Sequence, residues 1–197
     1  MIRLFCATGN PGKLREFRMA GEGSAVAIDI QLLPDFDKLP PCIEDGSTFE
    51  ENAIRKALDY GPHANGLLFA DDSGLEVDAL GGAPGVYSAR FAGLNATDAE
   101  NNELLLERLH GVTNRTARFV CVIALVENDR VLRTFHGAVE GTIAHELHGS
   151  GGFGYDPLFY YSPFGCTFAE VAAERKFGVS HRGQALRAML EWLIAET

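Results

Sequence analysis

The stretch Ala117-Arg118-Phe119-Val120-Cys121-Val122-Ile123-Ala124-Leu125-Val126-Glu127-Asn128-Asp129-Arg130-Val131-Leu132-Arg133-Thr134-Phe135-His136-Gly137-Ala138-Val139 joins two apolar, β-branched runs through Asn128-Asp129. Residues 117–126 and 131–139 therefore read as strands, and a connection this short makes them a hairpin, which is an antiparallel pair. Working outward, residues 2–8 form an apolar run that ends at Thr8-Gly9-Asn10-Pro11-Gly12, after which Lys13 to Met19 reads as a helix. A second strand is expected around Ala25 to Leu33. Ser47 or Thr48 is placed to cap a helix over about 49–60, with Glu50 and Glu51 in the first turn where the helix dipole favours negative charge. Leu67-Leu68-Phe69-Ala70 is a short buried strand running into Asp71-Asp72-Ser73-Gly74. Thr97 caps a helix over 98–109, Leu158 to Tyr161 is an aromatic strand, and Leu186, Met189, Leu190 and Leu193 mark an amphipathic helix from Gly183 onward. Strands and helices mix without a regular βαβ alternation. With an antiparallel hairpin among them, the expected fold class is α/β or α+β with a mixed sheet, not a doubly wound sheet.

At 197 residues and 46% hydrophobic, the chain is long enough to bury a real core, and one cooperative domain over 1–197 is expected, although two lobes sharing a cleft would also fit. No stretch approaches the roughly 20 apolar residues of a spanning helix, and the N-terminus lacks a signal-peptide pattern, so a soluble, cytoplasmic protein without a membrane partner is expected. A net charge of −10 excludes the clustered cationic surface that nucleic-acid binding needs, but not a small phosphorylated ligand met locally by a few cations and a divalent metal. Cys6, Cys42, Cys121 and Cys166 contain no CxxC pair and read as buried free thiols.

Gly9-Asn10-Pro11-Gly12-Lys13-Leu14 is not a P-loop, because two residues separate the glycines and Leu14 stands where a metal-holding hydroxyl belongs. It still suits phosphate, since the glycines expose amides, a helix N-terminus adds positive potential and Lys13 adds a charge; a plain strand-to-helix turn is the other reading. Gly149 to Gly154 fits G-x-G-x-x-G, yet an aromatic strand follows where a dinucleotide site needs a helix. Asp71-Asp72 is more informative. Two adjacent carboxylates where a core strand surfaces cost desolvation energy unless a cation meets them, and alternation sends them to opposite faces, so one addresses a ligand while the other braces the loop. Glu44 is the candidate second metal ligand, Mg²⁺ being held typically by one or two carboxylates plus waters and phosphates. Lys176, His181 and Arg182 suit a phosphate or a polar base edge. Phe153 and Tyr155 could wall a nucleobase, with Asp156 accepting hydrogen bonds. No nucleophile motif is present, which leaves metal-activated water as the route to hydrolysis.

Ala7 to Lys13, Thr48 to Ala53, Ala70 to Leu75, Gly81 to Arg90, Gly151 to Pro157 and Ser180 to Gly183, in that order, resemble the Ham1/ITPase family of noncanonical purine nucleoside-triphosphate pyrophosphatases. The resemblance implies hydrolysis of dITP, ITP and XTP to the monophosphate and pyrophosphate. It also implies Mg²⁺ as cofactor and a homodimer of elongated, two-lobed protomers with a central cleft. Carried onto this chain, it makes Thr8, Gly9, Asn10, Pro11, Gly12 and Lys13 a triphosphate loop, and Asp72 both proton acceptor and metal ligand beside Glu44. Ser73 becomes a substrate contact, while Phe153, Gly154, Tyr155 and Asp156 hold base and sugar and Lys176, His181 and Arg182 complete the nucleotide site. Two alternatives stand beside it: a Maf-like pyrophosphatase acting on other nucleotides, and a nucleotide-binding regulator without turnover.

Overall fold

The structure, a computed structural model, describes residues 2–22 and 27–196. Seven strands form one sheet: β1 (Ile2–Cys6), β2 (Ile28–Leu32), β3 (Leu67–Val77), β4 (Thr116–Glu127), β5 (Arg130–Ile143), β6 (Phe159–Tyr161) and β7 (Cys166–Thr167), in the order β2-β1-β3-β4-β5-β6-β7. β1 pairs in parallel with β2 and β3, whereas β5–β6 and β6–β7 are antiparallel, so the sheet is mixed as the hairpin demanded. Five helices accompany it: α1 (Pro11–Glu22), α2 (Phe49–Tyr60), α3 (Asp98–Arg108), α4 (Ala173–Val179) and α5 (His181–Ala195). Among the described residues no helix is long and apolar enough to cross a membrane.

The chain divides into two compact units, each assembled from separated segments. One comprises Met1–Asp72, Cys121–Gly137 and His181–Thr197; the other comprises Ser73–Val120 and Ala138–Ser180. Strand β4 changes character between them. Up to Val120 its residues alternate between buried and half-buried, and from Cys121 to Val126 every residue is buried, the pattern of a strand covered on both faces. In the first unit α1 packs against α5, and Phe17 meets Phe69 edge to face with ring centroids 5.2 Å apart. Leu186, Met189, Leu190 and Leu193 are buried, as their helical spacing requires. The core of the second unit gathers Leu75, Leu105, Phe119, Tyr155, Phe159 and Phe168.

Several boundaries depart from the sequence reading. Helix α1 starts at Pro11 rather than Lys13, because Asn10 accepts hydrogen bonds from the Gly12 and Lys13 amides at 2.8 and 3.1 Å and acts as its cap, with proline in the first helical position where no amide is needed. Strand β2 is shorter than 25–33, and Ala25 and Val26 lie outside the described residues. The hairpin stands, its turn residue Asn128 at φ 55°, but β5 continues four residues beyond Val139. Strand β3 does not end at Ala70; it runs on through the acidic pair to Val77. Thr48, not Ser47, caps α2, accepting from the Glu51 amide at 3.1 Å. Helix α4 went unread, having no side-chain cap and only seven residues. All four cysteines are free, but only Cys6 and Cys121 are buried.

Gly137 lies where β5 touches the first turn of α5. A Cβ there would sit 2.1 Å from the His181 carbonyl oxygen and 2.7 Å from the Ala185 amide, both backbone atoms that cannot swing aside. Gly137→Ala is therefore expected to lower the unfolding free energy by about 1–3 kcal/mol, the range for overpacking a close contact. Urea titration checks it, and an unchanged midpoint would show that the contact relaxes freely.

Candidate active site

In the first unit, β3 carries Asp71 and Asp72 in mid-strand, both buried, with side chains directed to different partners as strand alternation requires. Asp71 accepts from Lys13 Nζ at 2.8 Å, which brings the first turn of α1 onto the strand. Asp72 accepts from Asn52 Nδ2 of α2 at 3.0 Å. One helical turn further, Lys56 donates to the Asp71 carbonyl at 3.1 Å and pairs with Glu44 at 2.7 Å. The six groups form one electrostatic neighbourhood. Burial pushes the Asp71 carboxyl up, but Lys13 and Lys56 outweigh it and hold the group below its ordinary range. Burial also pushes Asp72 up, and there the two lysines and the Asn52 hydrogen bond offset it only in part, while Glu44 adds to the rise. Lys56 is buried too, yet Asp71 and Glu44 keep its proton held more firmly than usual. The two neighbouring carboxyls are thus driven in opposite directions.

The sequence reading offers Glu44 and Asp72 as metal ligands; Lys56 pairs with Glu44, and Asp72 feels the Glu44 charge. Among the described residues no cluster of three or more His, Cys, Asp or Glu could hold a metal alone. Carboxylate oxygens completed by waters and phosphate oxygens are the donor set of a hard, strongly hydrated divalent ion.

The loop at Thr8 to Lys13 is partly self-satisfied. Thr8 Oγ1 accepts from the Asn10 amide at 3.2 Å, and Asn10 Oδ1 takes the Gly12 and Lys13 amides. An anion at this helix end would meet the Lys13 ammonium sooner than those two amides. Deeper in the same unit, Arg182 Nε donates to Glu16 Oε2 at 2.5 Å, both side chains being buried. Burial disfavours the guanidinium charge, but Glu16 and then Asp71 more than restore it. Arg182 Nη1 lies 2.9 Å from His181 Nε2. A guanidinium only donates, so a hydrogen bond at this contact has the imidazole nitrogen as its acceptor.

The second unit groups a different set. Asp156 Oδ2 accepts from Lys176 Nζ at 2.5 Å and from the Phe153 amide at 2.9 Å, with both charged side chains buried. Lys176 Nζ also lies 4.8 Å from the centre of the Phe153 ring. Gly152 sits at φ +72°, and a Cβ would come 2.1 Å from Asp156 Oδ2, so only glycine fits between the ion pair and the loop. The Gly154 amide donates to Asp98 at 2.7 Å, and its carbonyl accepts from Asn102 at 2.9 Å. Tyr155 is the exception. Its ring is in the core and its hydroxyl donates to the Ser88 carbonyl at 2.8 Å, which leaves half-buried Phe153 as the aromatic available to a base. Ser73, also half-buried, belongs to this unit, following Asp72 on β3.

Sequence reasoning missed Glu16, Asn52 and Lys56. Asn52 and Lys56 were detectable as polar residues four apart, with Asn52 falling inside the buried stripe Phe49, Ala53, Ala57, Tyr60. Glu16 had the same signal, one acid beside Phe17 on the covered face of α1.

A mixed-sheet α/β protein with buried acids set among lysines is the class that this geometry defines. A family model described as the Ham1 family matches residues 4–192, and the chain belongs to that family. It is 49% identical over 188 residues to a dITP/XTP pyrophosphatase of Exiguobacterium sp. (strain ATCC BAA-1283 / AT1b), covering 95% of each chain. Over 191 residues it is 46% identical to a dITP/XTP pyrophosphatase of Listeria monocytogenes serotype 4b (strain F2365), covering 96% of this chain and 93% of the relative. A HAM1 protein from Coxiella burnetii superimposes with a TM-score of 0.87 at 42% identity over the whole of both chains, and the Ham1 protein of Staphylococcus aureus gives 0.87 at 39%, covering 99% of this chain and all of that one.

Removing Glu16 would leave the Arg182 charge buried without its carboxylate. Glu16→Ala is expected to cost about 3–5 kcal/mol of stability, the range for breaking a buried pair from one side. Chemical denaturation measures it; a loss below about 1 kcal/mol would mean that water reaches the guanidinium.

Proposed function

We propose that this chain hydrolyses noncanonical purine nucleoside triphosphates, dITP, ITP and XTP, to the nucleoside monophosphate and pyrophosphate. The observation that carries the reading is the pair Asp71-Asp72, flanked by Lys13 and Lys56, in a chain whose curated relatives are named dITP/XTP pyrophosphatases. The same relatives weigh against a Maf-like enzyme.

In this reading Asp72 accepts the proton of the attacking water. Asp71, held low by Lys13 and Lys56, keeps its charge and anchors Lys13. Lys13 and Lys56 neutralise charge building on the phosphate oxygens. Asp72 and Glu44 would hold Mg²⁺, which when bound supplies Lewis-acid neutralisation of the phosphates and orientation of the triphosphate. Thr8 to Gly12 line the triphosphate end. Phe153 offers a face to the base, Asp156 and Lys176 set the Gly152 to Gly154 loop around base and sugar, and Ser73 adds a substrate contact. Arg182 or His181 would supply the hydrogen-bond donor suited to a 6-oxo purine. A single domain over 1–197, a homodimer and a cytoplasmic location belong to the same reading and rest on the family resemblance.

Asp72→Asn keeps size and shape and removes the base. It should retain wild-type stability within about 1 kcal/mol and lose roughly 10²–10⁴-fold in kcat with dITP, the usual contribution of a positioned base. Released pyrophosphate is the readout, and near-wild-type turnover would remove Asp72 from this role. A nucleotide-binding regulator would release no pyrophosphate from dITP even in the unmutated chain.

Adenine presents an amino donor where hypoxanthine presents an acceptor, so kcat/KM for dITP should exceed that for dATP by about 10²-fold or more. Equal values in a substrate panel would refute the donor account.

A further inference from the structure

The segment that carries Glu44 has no helix or strand of its own between residues 40 and 46. Residues of α2 hold this segment along its length. Cys42 donates its amide to the Tyr60 hydroxyl at 2.9 Å, which in turn donates to the Pro40 carbonyl at 3.1 Å. Arg55 donates to the Ile43 carbonyl at 3.3 Å, Lys56 pairs with Glu44, and the Gly46 amide donates to Asn52 Oδ1 at 2.8 Å. Two of these tethers also reach β3: Lys56 through the Asp71 carbonyl and Asn52 through the Asp72 carboxylate itself. Fully buried, Asn52 hands Nδ2 to Asp72 while Oδ1 holds Gly46. Its orientation is fixed by chemistry, since a backbone amide only donates and therefore faces the oxygen, which leaves the NH₂ group for the carboxylate.

One rigid amide thus spans the loop bearing Glu44 and the strand bearing Asp72. We propose that Asn52 is the positioning residue that registers the Glu44 loop against Asp72, so that the two carboxylates meet a divalent cation already in their working arrangement. The fit at the loop end is tight: a Cβ on Gly46 would stand 2.7 Å from Asn52 Oδ1 and 2.9 Å from Glu51 Cβ. Groups that orient metal ligands without touching the metal typically contribute 10–100-fold in metal affinity. The proposal rests on the reading of Asp72 and Glu44 as metal carboxylates.

The test uses the full chain in five forms: wild type, Asn52→Ala, Gly46→Ala, Asp72→Asn and Glu44→Gln. Gly46→Ala strains the loop end of the bridge while leaving Asn52 and Asp72 in place, and it stands in if Asn52→Ala does not fold. Mn²⁺ binding is followed without nucleotide by loss of the free-ion electron paramagnetic resonance signal, and the Mg²⁺ concentration for half-maximal pyrophosphate release is measured separately from kcat at saturating metal. Asn52→Ala and Gly46→Ala are each expected to weaken Mn²⁺ binding about 10–100-fold and to raise the Mg²⁺ requirement in parallel, with part of kcat recovered at high metal. If both variants bind Mn²⁺ within about twofold of wild type while Asp72→Asn and Glu44→Gln bind it far more weakly, Asn52 is only a structural tether and the proposal is wrong. If Asp72→Asn and Glu44→Gln also bind like wild type, the metal reading itself falls, and the proposal with it.

Discussion

Two successive carboxylates buried in the middle of a strand are the constraint around which the first unit is organised. Taking an ionised carboxylate out of water costs several kcal/mol even after relaxation, and a strand sends Asp71 and Asp72 in opposite directions, so each takes a hydrogen-bond partner of its own. Two helices must therefore deliver partners. α1 brings Lys13 to Asp71, and α2 brings Asn52 to Asp72 and Lys56 to the backbone between them. The result is unequal. Lys13 in direct contact holds Asp71 below its ordinary range, while the neutral amide of Asn52 orients Asp72, whose burial is only partly offset.

The same device recurs where the chain needs order without regular structure. In the second unit the Asp156–Lys176 pair pins the amide of Phe153 and fills the space that a Gly152 side chain would take. In the first unit Glu16 holds Arg182, which lies against His181. Buried ion pairs of this kind are weak contributors to net stability, because desolvation consumes most of their attraction. Their contribution is geometric, each fixing a group that the sequence reading had named as ligand-binding.

What was legible in the sequence follows the range of the physics involved. The hairpin at Asn128-Asp129, the Thr97 cap and the buried stripe of α5 depend on neighbours within a turn or two and were read correctly, and the cap of α2 was narrowed to Ser47 or Thr48. The length of β3 was misread because Asp-Asp-Ser-Gly has the composition of a turn. Lys13, 58 residues earlier, with Asn52 and Lys56 of α2, stabilises it inside a sheet, and partners so distant leave no trace in the local composition. Asn10-Pro11-Gly12 was taken for a loop by the same composition rule, although Asn as cap and Pro as first residue also begin a helix. Tyr155 shows the reverse limit: among glycines it resembled a stacking wall, and only the long-range contact with Ser88 reveals a core residue.

The helix start at Asn10 bears on how charge is met in this unit. A phosphate usually finds unsatisfied amides at a helix N-terminus. Here Asn10 already occupies those of Gly12 and Lys13, so an anion would have to displace a cap that contributes on the order of 1 kcal/mol. An ammonium has no such competitor for all its donors: Lys13 spends one proton on Asp71 and has two others, and Lys56 divides its protons between Glu44 and a carbonyl. Neutralising a triphosphate therefore falls first to these side chains, each of which is itself held by an acid. Acids that hold these lysines in place would then belong to the anion site of the proposed reaction, and a net charge of −10 is compatible with a polyanionic ligand.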